Sequence, residues 1–219
     1  MSRTRHSFSY CLTNCWISAF ILVIAMLSGA VAVPASAQIA FDAASYKDTS
    51  STGNASISWS HTIGGGTNRA LVIEVASYNS GNTCGSGAAQ NVASVTYNGV
   101  AATAVPNSLA CSTKSGSSGV NNTQLFYVLE SSPLPAAGTY TVTVTFTGTA
   151  AAAAAGAISL AGVSQTAPEA SAATAMNSGV TSISTSITTI ASGAWLVDVV
   201  GSNSSSTWTV GSGQTQQWN

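Results

Sequence analysis

Charged side chains are scarce in this sequence. Lys, Arg, Asp and Glu together make up 5% of the 219 residues, and only two histidines occur. Nucleic-acid binding requires clustered Lys and Arg that displace counterions from phosphates, and the sequence has no such cluster. Its polarity comes from Ser, Thr, Asn and Gly, which give a surface with little electrostatic repulsion. We therefore expect attachment to neutral surfaces or self-association, and no nucleic-acid partner.

Long hydrophobic runs are also missing, apart from one that extends from Ile17 to Val33. Its length approaches that of a membrane span. However, Arg3 and Arg5 precede it, polar and helix-breaking residues interrupt it, and "PASAQ" then supplies the small residues of a cleavage site. We predict that residues 1–37 are a signal peptide cleaved after Ala37, and that the mature protein is secreted or lies at the cell surface without a membrane span. The mature chain keeps three basic residues against six acidic ones, a net charge of −3.

Cysteine is scarce as well. Four cysteines occur, and two of them, Cys84 and Cys111, belong to the mature chain. An even pair in loop-like sequence of an exported protein is typical of a disulfide, which would stabilise the fold by roughly 3 to 4 kcal/mol. No His or carboxylate lies between them at metal-ligand spacing. We predict a disulfide, with free thiols as the alternative.

The mature sequence is instead rich in short runs with a period of two, built from Val, Ile, Thr and aromatic residues and separated by Gly, Asn and Ser. In "YTVTVTFTG" the residues Tyr140, Val142, Val144 and Phe146 fall on one face and threonines on the other, as in a strand with one buried side. The other predicted strands are "QIAFD", "SISWSHTI", "ALVIEVAS", "VASVTYNG", "TQLFYVLE", "AAGAISLAG", "TSISTSITTI", "AWLVDVVGS" and "STWTV". The sequence predicts an all-β fold, an antiparallel two-sheet β-sandwich or jelly roll, as a single domain over residues 38–219.

Three stretches need separate interpretation. The run Ala150 to Ala155 has helix propensity, but glycines flank it, and we interpret it as a loop that enters a strand. Gly64 to Gly66 predict a connection between strands, because no Lys-Ser or Lys-Thr pair follows as in a phosphate loop. The chain stops at "GQTQQWN", and a sandwich needs its last strands to cover a sheet edge. We expect that one or two strands are missing at the C-terminus.

The segments "IAFDAAS", "SWSHTIGGGTNRALVIEVAS", "VASVTYNGVAAT", "LFYVLESSPLPAAGTYTVTVTF" and "AGAISLAGVSQTAP" follow one another in this order. In that arrangement the mature chain resembles the secreted bacterial β-sandwich domains, concanavalin- or jelly-roll-like, of large multidomain extracellular and surface proteins. The resemblance covers essentially the whole mature chain. It implies the fold and an extracellular setting, and it implies no catalytic residues, because that family has no settled activity.

His61 is the only histidine of the mature chain. It shares one face of a predicted strand with Ile57, Trp59 and Ile63. Nucleophilic catalysis would need a serine or cysteine beside it and an orienting acid, and no nucleophile-elbow motif occurs. We interpret His61 as a partly buried imidazole that packs near Trp59 and hydrogen-bonds to backbone.

Glu74 and Asp198 lie inside apolar runs of the same pattern, "ALVIEVAS" and "AWLVDVVGS". The likeness indicates either a pseudo-repeat or two central strands under the same constraints. If the two strands are neighbours, the carboxylates could serve as the acid and nucleophile of a glycoside hydrolase. The plainer interpretation places both on the solvated face or pairs them with Arg69 or Lys114, because an unpaired buried carboxylate is costly.

Asp42 and Asp48 flank the exit of the first predicted strand. Oxygen ligands from such loops hold Ca²⁺ in proteins, but two acids supply only a fraction of the ligands that the ion needs. We expect no cofactor and no metal, with Ca²⁺ at Asp42 and Asp48 as the alternative.

Tyr78, Trp208 and Trp218 lie in Ser- and Asn-rich surroundings. An aromatic face offers an apolar platform for a sugar ring, so these three are the candidate ligand-binding residues, with core or interface packing as the alternative. Trp59 and Trp195 are expected to fill the core.

These observations favour a secreted, non-catalytic β-sandwich module for extracellular binding or adhesion, with an extracellular polysaccharide or a cell-surface component as its partner. One alternative is a carbohydrate-active enzyme, a glycoside hydrolase that uses Glu74 and Asp198. The other is a structural subunit of a surface layer or filament, which would assemble through unpaired strand edges.

Overall fold

The computed structural model describes residues 38–49, 53–80, 83–85, 87–113, 119–177, 179–202 and 208–218. The predicted signal peptide, residues 1–37, lies outside these ranges. Within them the chain forms ten strands, β1 (Ala40–Thr49), β2 (Asn54–Ile63), β3 (Ala70–Ser80), β4 (Val92–Tyr97), β5 (Val100–Ala101), β6 (Thr103–Ala104), β7 (Ala110–Thr113), β8 (Gly119–Leu129), β9 (Gly138–Ala150) and β10 (Ala152–Ala161). This part of the chain contains no helix with the length and apolar character needed to cross a membrane.

The strands pair into two antiparallel sheets. The six-stranded sheet has the order β1-β10-β3-β8-β6, with β7 also paired to β8, and the four-stranded sheet has the order β2-β9-β4-β5. Every pairing is antiparallel, and neither sheet closes on itself. The predicted all-β, two-sheet architecture is confirmed and is that of a β-sandwich.

The core lies between the inner faces of the two sheets. Pairing of β2 with β9 places Ile57 opposite Val144 and Trp59 opposite Val142, and all four side chains are buried. The Ser and Thr residues that alternate with them face away from the core. The buried face predicted for "YTVTVTFTG" is therefore confirmed. The six-stranded sheet adds Leu71, Ile73, Val75, Phe126, Val128, Ala153, Ala155 and Ala157 to this core.

The alanine-rich stretch is a strand, and the expectation of a loop is wrong. β9 extends to Ala150 and β10 begins at Ala152. β10 hydrogen-bonds to β1 along one edge and to β3 along the other. Two ladders satisfy its backbone groups, and tertiary pairing of this kind outweighs the modest helix propensity of alanine.

The strands predicted in the C-terminal part of the chain are missing from the described residues after Ala161. The run "AWLVDVVGS" cannot pair beside the similar strand β3, because β10 and β8 already occupy both edges of β3. Trp195, which was expected in the core, is 46% exposed. Both expectations are wrong: within the described residues this segment pairs with neither sheet, and an apolar run forms a strand only when tertiary contacts supply a pairing partner.

Two cross-links fix the loops. Cys84 and Cys111 form a disulfide with an S–S distance of 2.04 Å, which ties the loop before β4 to β7. The predicted disulfide is confirmed and indicates an oxidising environment. Arg69 places its Nη2 2.8 Å from Oε1 of Glu130 and donates from Nη1 to the carbonyl oxygen of Pro135 at 3.0 Å. This contact joins the β2–β3 connection to the β8–β9 connection.

Candidate functional site

The outer face of the six-stranded sheet carries the unusual side chains of this fold. On β3, Ile73 and Val75 point into the core, so Glu74 between them points to the outer face. The register aligns Glu74 with Gly156 of β10, and Gly156 with Tyr46 of β1. One row of the outer face therefore consists of Tyr46, Gly156, Glu74 and Leu125.

Parts of the C-terminal segment lie on this face, and we call residues 194–202 and 208–218 the C-terminal cover. A Cβ atom added to Gly201 would come within 2.6 Å of Cγ2 of Thr123 and 3.6 Å of Cβ of Ala76. The cover backbone thus lies directly on β8 and β3. At a second point, a Cβ added to Gly156 would collide with the indole ring of Trp218. The cover therefore also contacts β10.

Trp218 and Tyr46 form an aromatic pair over this row. Their ring centroids are 6.4 Å apart and their planes differ by 21°, which is an offset-stacked arrangement. Tyr46 is 55% exposed and Trp218 is half-buried. Gly156 makes the arrangement possible, because any larger side chain would occupy the space of the indole ring. Tyr46 therefore remains largely exposed beside the indole ring.

Glu74 is 4% exposed even though it lies on the outer face. Among the described residues it forms no salt bridge. Burial, and secondarily the charge of the nearby Asp198, raise the pKa of Glu74 to about 8. Glu74 is therefore mostly protonated at neutral pH.

Asp198 belongs to the cover and is exposed. Its Oδ2 accepts a hydrogen bond of 3.0 Å from Nε2 of Gln214, another residue of the cover. Glu74 and Asp198 are thus brought together, although one lies on a strand and the other on an irregular segment. Pairing of Glu74 with Arg69 is wrong, because Arg69 binds Glu130. Lys114, the other partner considered, lies outside the described residues.

His61 lies on the inner face of β2 and is 1% exposed. Its Nδ1 is 2.8 Å from Oγ of Ser45, which accepts a hydrogen bond of 2.9 Å from Nε1 of Trp59. The ring of Tyr97 meets the imidazole edge-on at a centroid distance of 6.1 Å. Burial lowers the pKa of His61 to about 4, although the charge of Asp42 acts in the opposite direction. The imidazole lies near Trp59 as expected, but it is fully and not partly buried, and its partner is the hydroxyl group of Ser45 and not backbone.

Ser45 and His61 do not form a nucleophile–base pair of the hydrolase type. A catalytic triad needs an acid that hydrogen-bonds to the imidazole. The nearby carboxylate, that of Asp42, accepts hydrogen bonds from Oγ of Ser159 at 2.7 Å and from the backbone N of Gly64 at 2.6 Å. The Nε2 atom of His61 is buried without a partner among the described residues. The network is a structural link between the two sheets.

Asp42 and Asp48 do not converge. Both lie in β1, and six residues of strand separate them by about 20 Å. One Ca²⁺ ion cannot bind both, since its oxygen ligands lie within about 2.6 Å of the metal. The described residues contain no group of three or more His, Cys, Asp or Glu side chains placed to hold a metal.

The predicted aromatic residues are only partly brought together. Tyr78 is half-buried on the outer face, four residues along β3 from Glu74, and its ring packs against Gly119 of β8. Trp208 is half-buried in the cover. Tyr46, the stacking partner of Trp218, was missed because the strand predicted as "QIAFD" ended before it. Phe41 and Tyr46 are five residues apart, so simple alternation would have placed them on opposite faces. The register shift between Phe41 and Ala43 brings Tyr46 onto the same face as Phe41.

Comparisons of the chain with protein-family models, with curated proteins and with solved structures found no match. The fold is therefore defined by its own strand order, an all-β pair of antiparallel sheets. Its function has to be inferred from the side chains on the outer face.

Proposed function

We propose that the protein is a secreted, non-catalytic module that binds a neutral extracellular polysaccharide at the outer face of the six-stranded sheet. The stacked pair Tyr46–Trp218 is the observation that carries this proposal, because it combines a ring that is 55% exposed with a partner that fixes its orientation. The apolar faces of sugar rings stack on aromatic side chains in this way.

A neutral ligand agrees with the charges of this surface. Lys47 follows Tyr46 in β1, but strand alternation directs it to the opposite face. Arg69 is held by Glu130, and Glu74 beside the aromatic pair is mostly protonated at neutral pH because of its raised pKa. An anionic polymer would need basic side chains to hold it. A polymer of uncharged sugars needs only the ring faces and the hydroxyl and amide groups around them.

Secretion is part of this proposal. The disulfide is compatible with an oxidising compartment, and the N-terminal residues have the composition of a signal peptide. The likeness to secreted bacterial β-sandwich domains of extracellular and surface proteins points to the same setting.

Retention on insoluble cellulose, chitin and xylan tests the binding role. We expect the mature protein to be retained on one of the three, and Tyr46→Ala and Trp218→Ala to lower the bound fraction at least tenfold. Phe41→Ala is the matched control, since Phe41 lies on the same strand and is 45% exposed but lies outside the stack. Absence of retention on all three, or equal losses in the control, would contradict the proposal.

A second function has one observation in its favour. A glycoside hydrolase needs a protonated acid beside an ionised carboxylate, and the raised pKa of Glu74 next to the exposed Asp198 meets that requirement. The burial of Glu74 argues against it, because a substrate cannot reach a carboxyl group that is 4% exposed. Assays for released reducing sugar decide this. Hydrolysis that Glu74→Gln abolishes while binding is kept would favour the enzyme.

A further inference from the structure

The C-terminal cover touches the sheet at two identified points. Gly201 lies on Ala76 and Thr123, and Trp218 lies on Gly156 and Tyr46. Within the described residues, no strand forms after Ala161, so no ladder joins the cover to the sheet. A segment that no backbone ladder joins to the sheet opens at a lower free energy than the strands beneath it.

Glu74 lies beneath this cover without a basic side chain of the sheet face or of the described cover to pair with it. The other titratable groups on the outer face of the sheet are Tyr46, Asp48, Tyr78 and Tyr127. The cover adds Asp198, and of all these groups only Asp198 acts on the titration of Glu74. Asp198 is itself an acid, so an ionised Glu74 meets low polarity and a like charge together.

We propose that the C-terminal cover is a proton-controlled clasp, which closes over the outer face when Glu74 is protonated and lifts when Glu74 ionises. With the cover lifted, Glu74 lies on a solvated sheet face and its carboxylate is hydrated. With the cover closed, that hydration is lost and the charge faces Asp198. The clasp therefore favours the closed state in acid and the open state in alkali.

The change in the closing equilibrium of the cover follows from the difference between the pKa of Glu74 in the open state and that in the closed state. Glu74 has an ordinary pKa of 4.5 and a pKa of about 8 under the cover. The equilibrium constant for closing is constant below the first value, falls tenfold per pH unit between the two values, and is constant again above the second. The full change is about three orders of magnitude.

The clasp also regulates the aromatic pair, and this consequence rests on the proposed function. Tyr46 belongs to the sheet and Trp218 to the cover, so lifting the cover separates the two rings. A polysaccharide that binds the assembled pair would be held in acid and released in alkali.

The test follows the indole of Trp218 without any ligand. The mature protein is labelled with fluorotryptophan, its fluorine NMR spectrum is recorded from pH 5 to pH 9, and Trp218→Phe assigns the signal. The buried Trp59, hydrogen-bonded to Ser45, reports in the same spectrum that the core remains folded.

We expect the Trp218 signal of the wild-type protein to move from a closed to an open position as the pH rises, with Trp59 unchanged. Glu74→Gln removes the charge at nearly constant shape and should keep the closed signal throughout. Asp198→Asn removes the like charge and should leave a smaller open fraction than wild type at pH 9. A Trp218 signal that is independent of pH in the wild type, or that moves identically in Glu74→Gln, would overturn the clasp.

Polysaccharide retention at pH 5 and pH 9 separates the two proposals. If the Trp218 signal moves with pH but the protein is retained on no polysaccharide at either pH, the clasp is supported and the binding function is contradicted. If the protein is retained on a polysaccharide but the Trp218 signal does not change with pH, the binding function is supported and the clasp is contradicted.

Discussion

Oγ of Ser45 lies within hydrogen-bonding distance of both Nδ1 of His61, at 2.8 Å, and Nε1 of Trp59, at 2.9 Å. Ser45 belongs to β1 of one sheet, whereas His61 and Trp59 belong to β2 of the other. One hydroxyl group therefore joins the edge strands of the two sheets. It also satisfies two polar side-chain atoms that are buried in the core.

Replacing Ser45 with Ala removes this link. We expect the free energy of unfolding to fall by about 2 to 6 kcal/mol, because each of the two buried polar groups left without a partner costs about 1 to 3 kcal/mol. Urea denaturation at pH 7 measures the change. Ser58→Ala is the matched control, since Ser58 is an exposed residue of β2, and its effect should stay within about 0.5 kcal/mol. If Ser45→Ala and Ser58→Ala changed the free energy of unfolding by similar amounts, the Ser45 link would have no structural role.

The free energy of unfolding should depend on pH through two buried groups, His61 and Glu74, whose pKa values are shifted in opposite directions. His61 has a lowered pKa of about 4 against an ordinary 6.5, so its contribution is present above pH 6.5 and is lost as the pH falls to 4. Glu74 has a raised pKa of about 8 against an ordinary 4.5, so its contribution is present below pH 4.5 and is lost as the pH rises to 8. Between pH 4.5 and 6.5 the rise in the free energy of unfolding due to His61 cancels the fall due to Glu74. Above pH 6.5 only the fall due to Glu74 remains, and urea denaturation should show a loss of about 2 kcal/mol by pH 8.

Glu74→Gln should remove the loss of stability above pH 6.5. With only His61 left of the pair, the free energy of unfolding should rise by about 3 kcal/mol from pH 4 to pH 6.5 and then stay level up to pH 8. Urea denaturation at half-unit pH intervals gives both profiles. A variant that still loses stability between pH 6.5 and 8 would show that another group causes the loss.

Reduction of the Cys84–Cys111 disulfide should lower the free energy of unfolding by about 3 to 4 kcal/mol, because the loop between the two cysteines gains freedom in the unfolded chain. Urea midpoints with and without a thiol reductant measure this loss. A variant with both cysteines replaced by serine should show the lower midpoint in either buffer. Equal midpoints for the oxidised and reduced wild type would contradict a stabilising role.

The sequence predicts those parts of this fold that have a local pattern. β9 alternates Thr with Tyr, Val or Phe over most of its length, so the sequence alone predicts its buried face. β10 begins in a run of identical alanines and has no alternation to read there. Its place between β1 and β3 comes from two long-range ladders. The aromatic pair was half predicted for the same reason, because the register that brings Tyr46 beside Gly156, and the cover that brings Trp218 there, are set by tertiary contacts.

Replacing Gly156 with Ala should disrupt the Tyr46–Trp218 pair and leave the rest of the fold intact. Its backbone is extended within β10, so Gly156→Ala introduces no forbidden conformation and should change the free energy of unfolding by less than about 1 kcal/mol. The new Cβ atom would occupy the space of the Trp218 ring, so the ring must leave the sheet. We expect a red shift of tryptophan emission and a loss of polysaccharide retention as large as that of Trp218→Ala. Gly85→Ala is the control, because a Cβ at Gly85 meets no atom within 4 Å. Full retention by Gly156→Ala would mean that the ligand does not use the seat of Trp218 on this sheet.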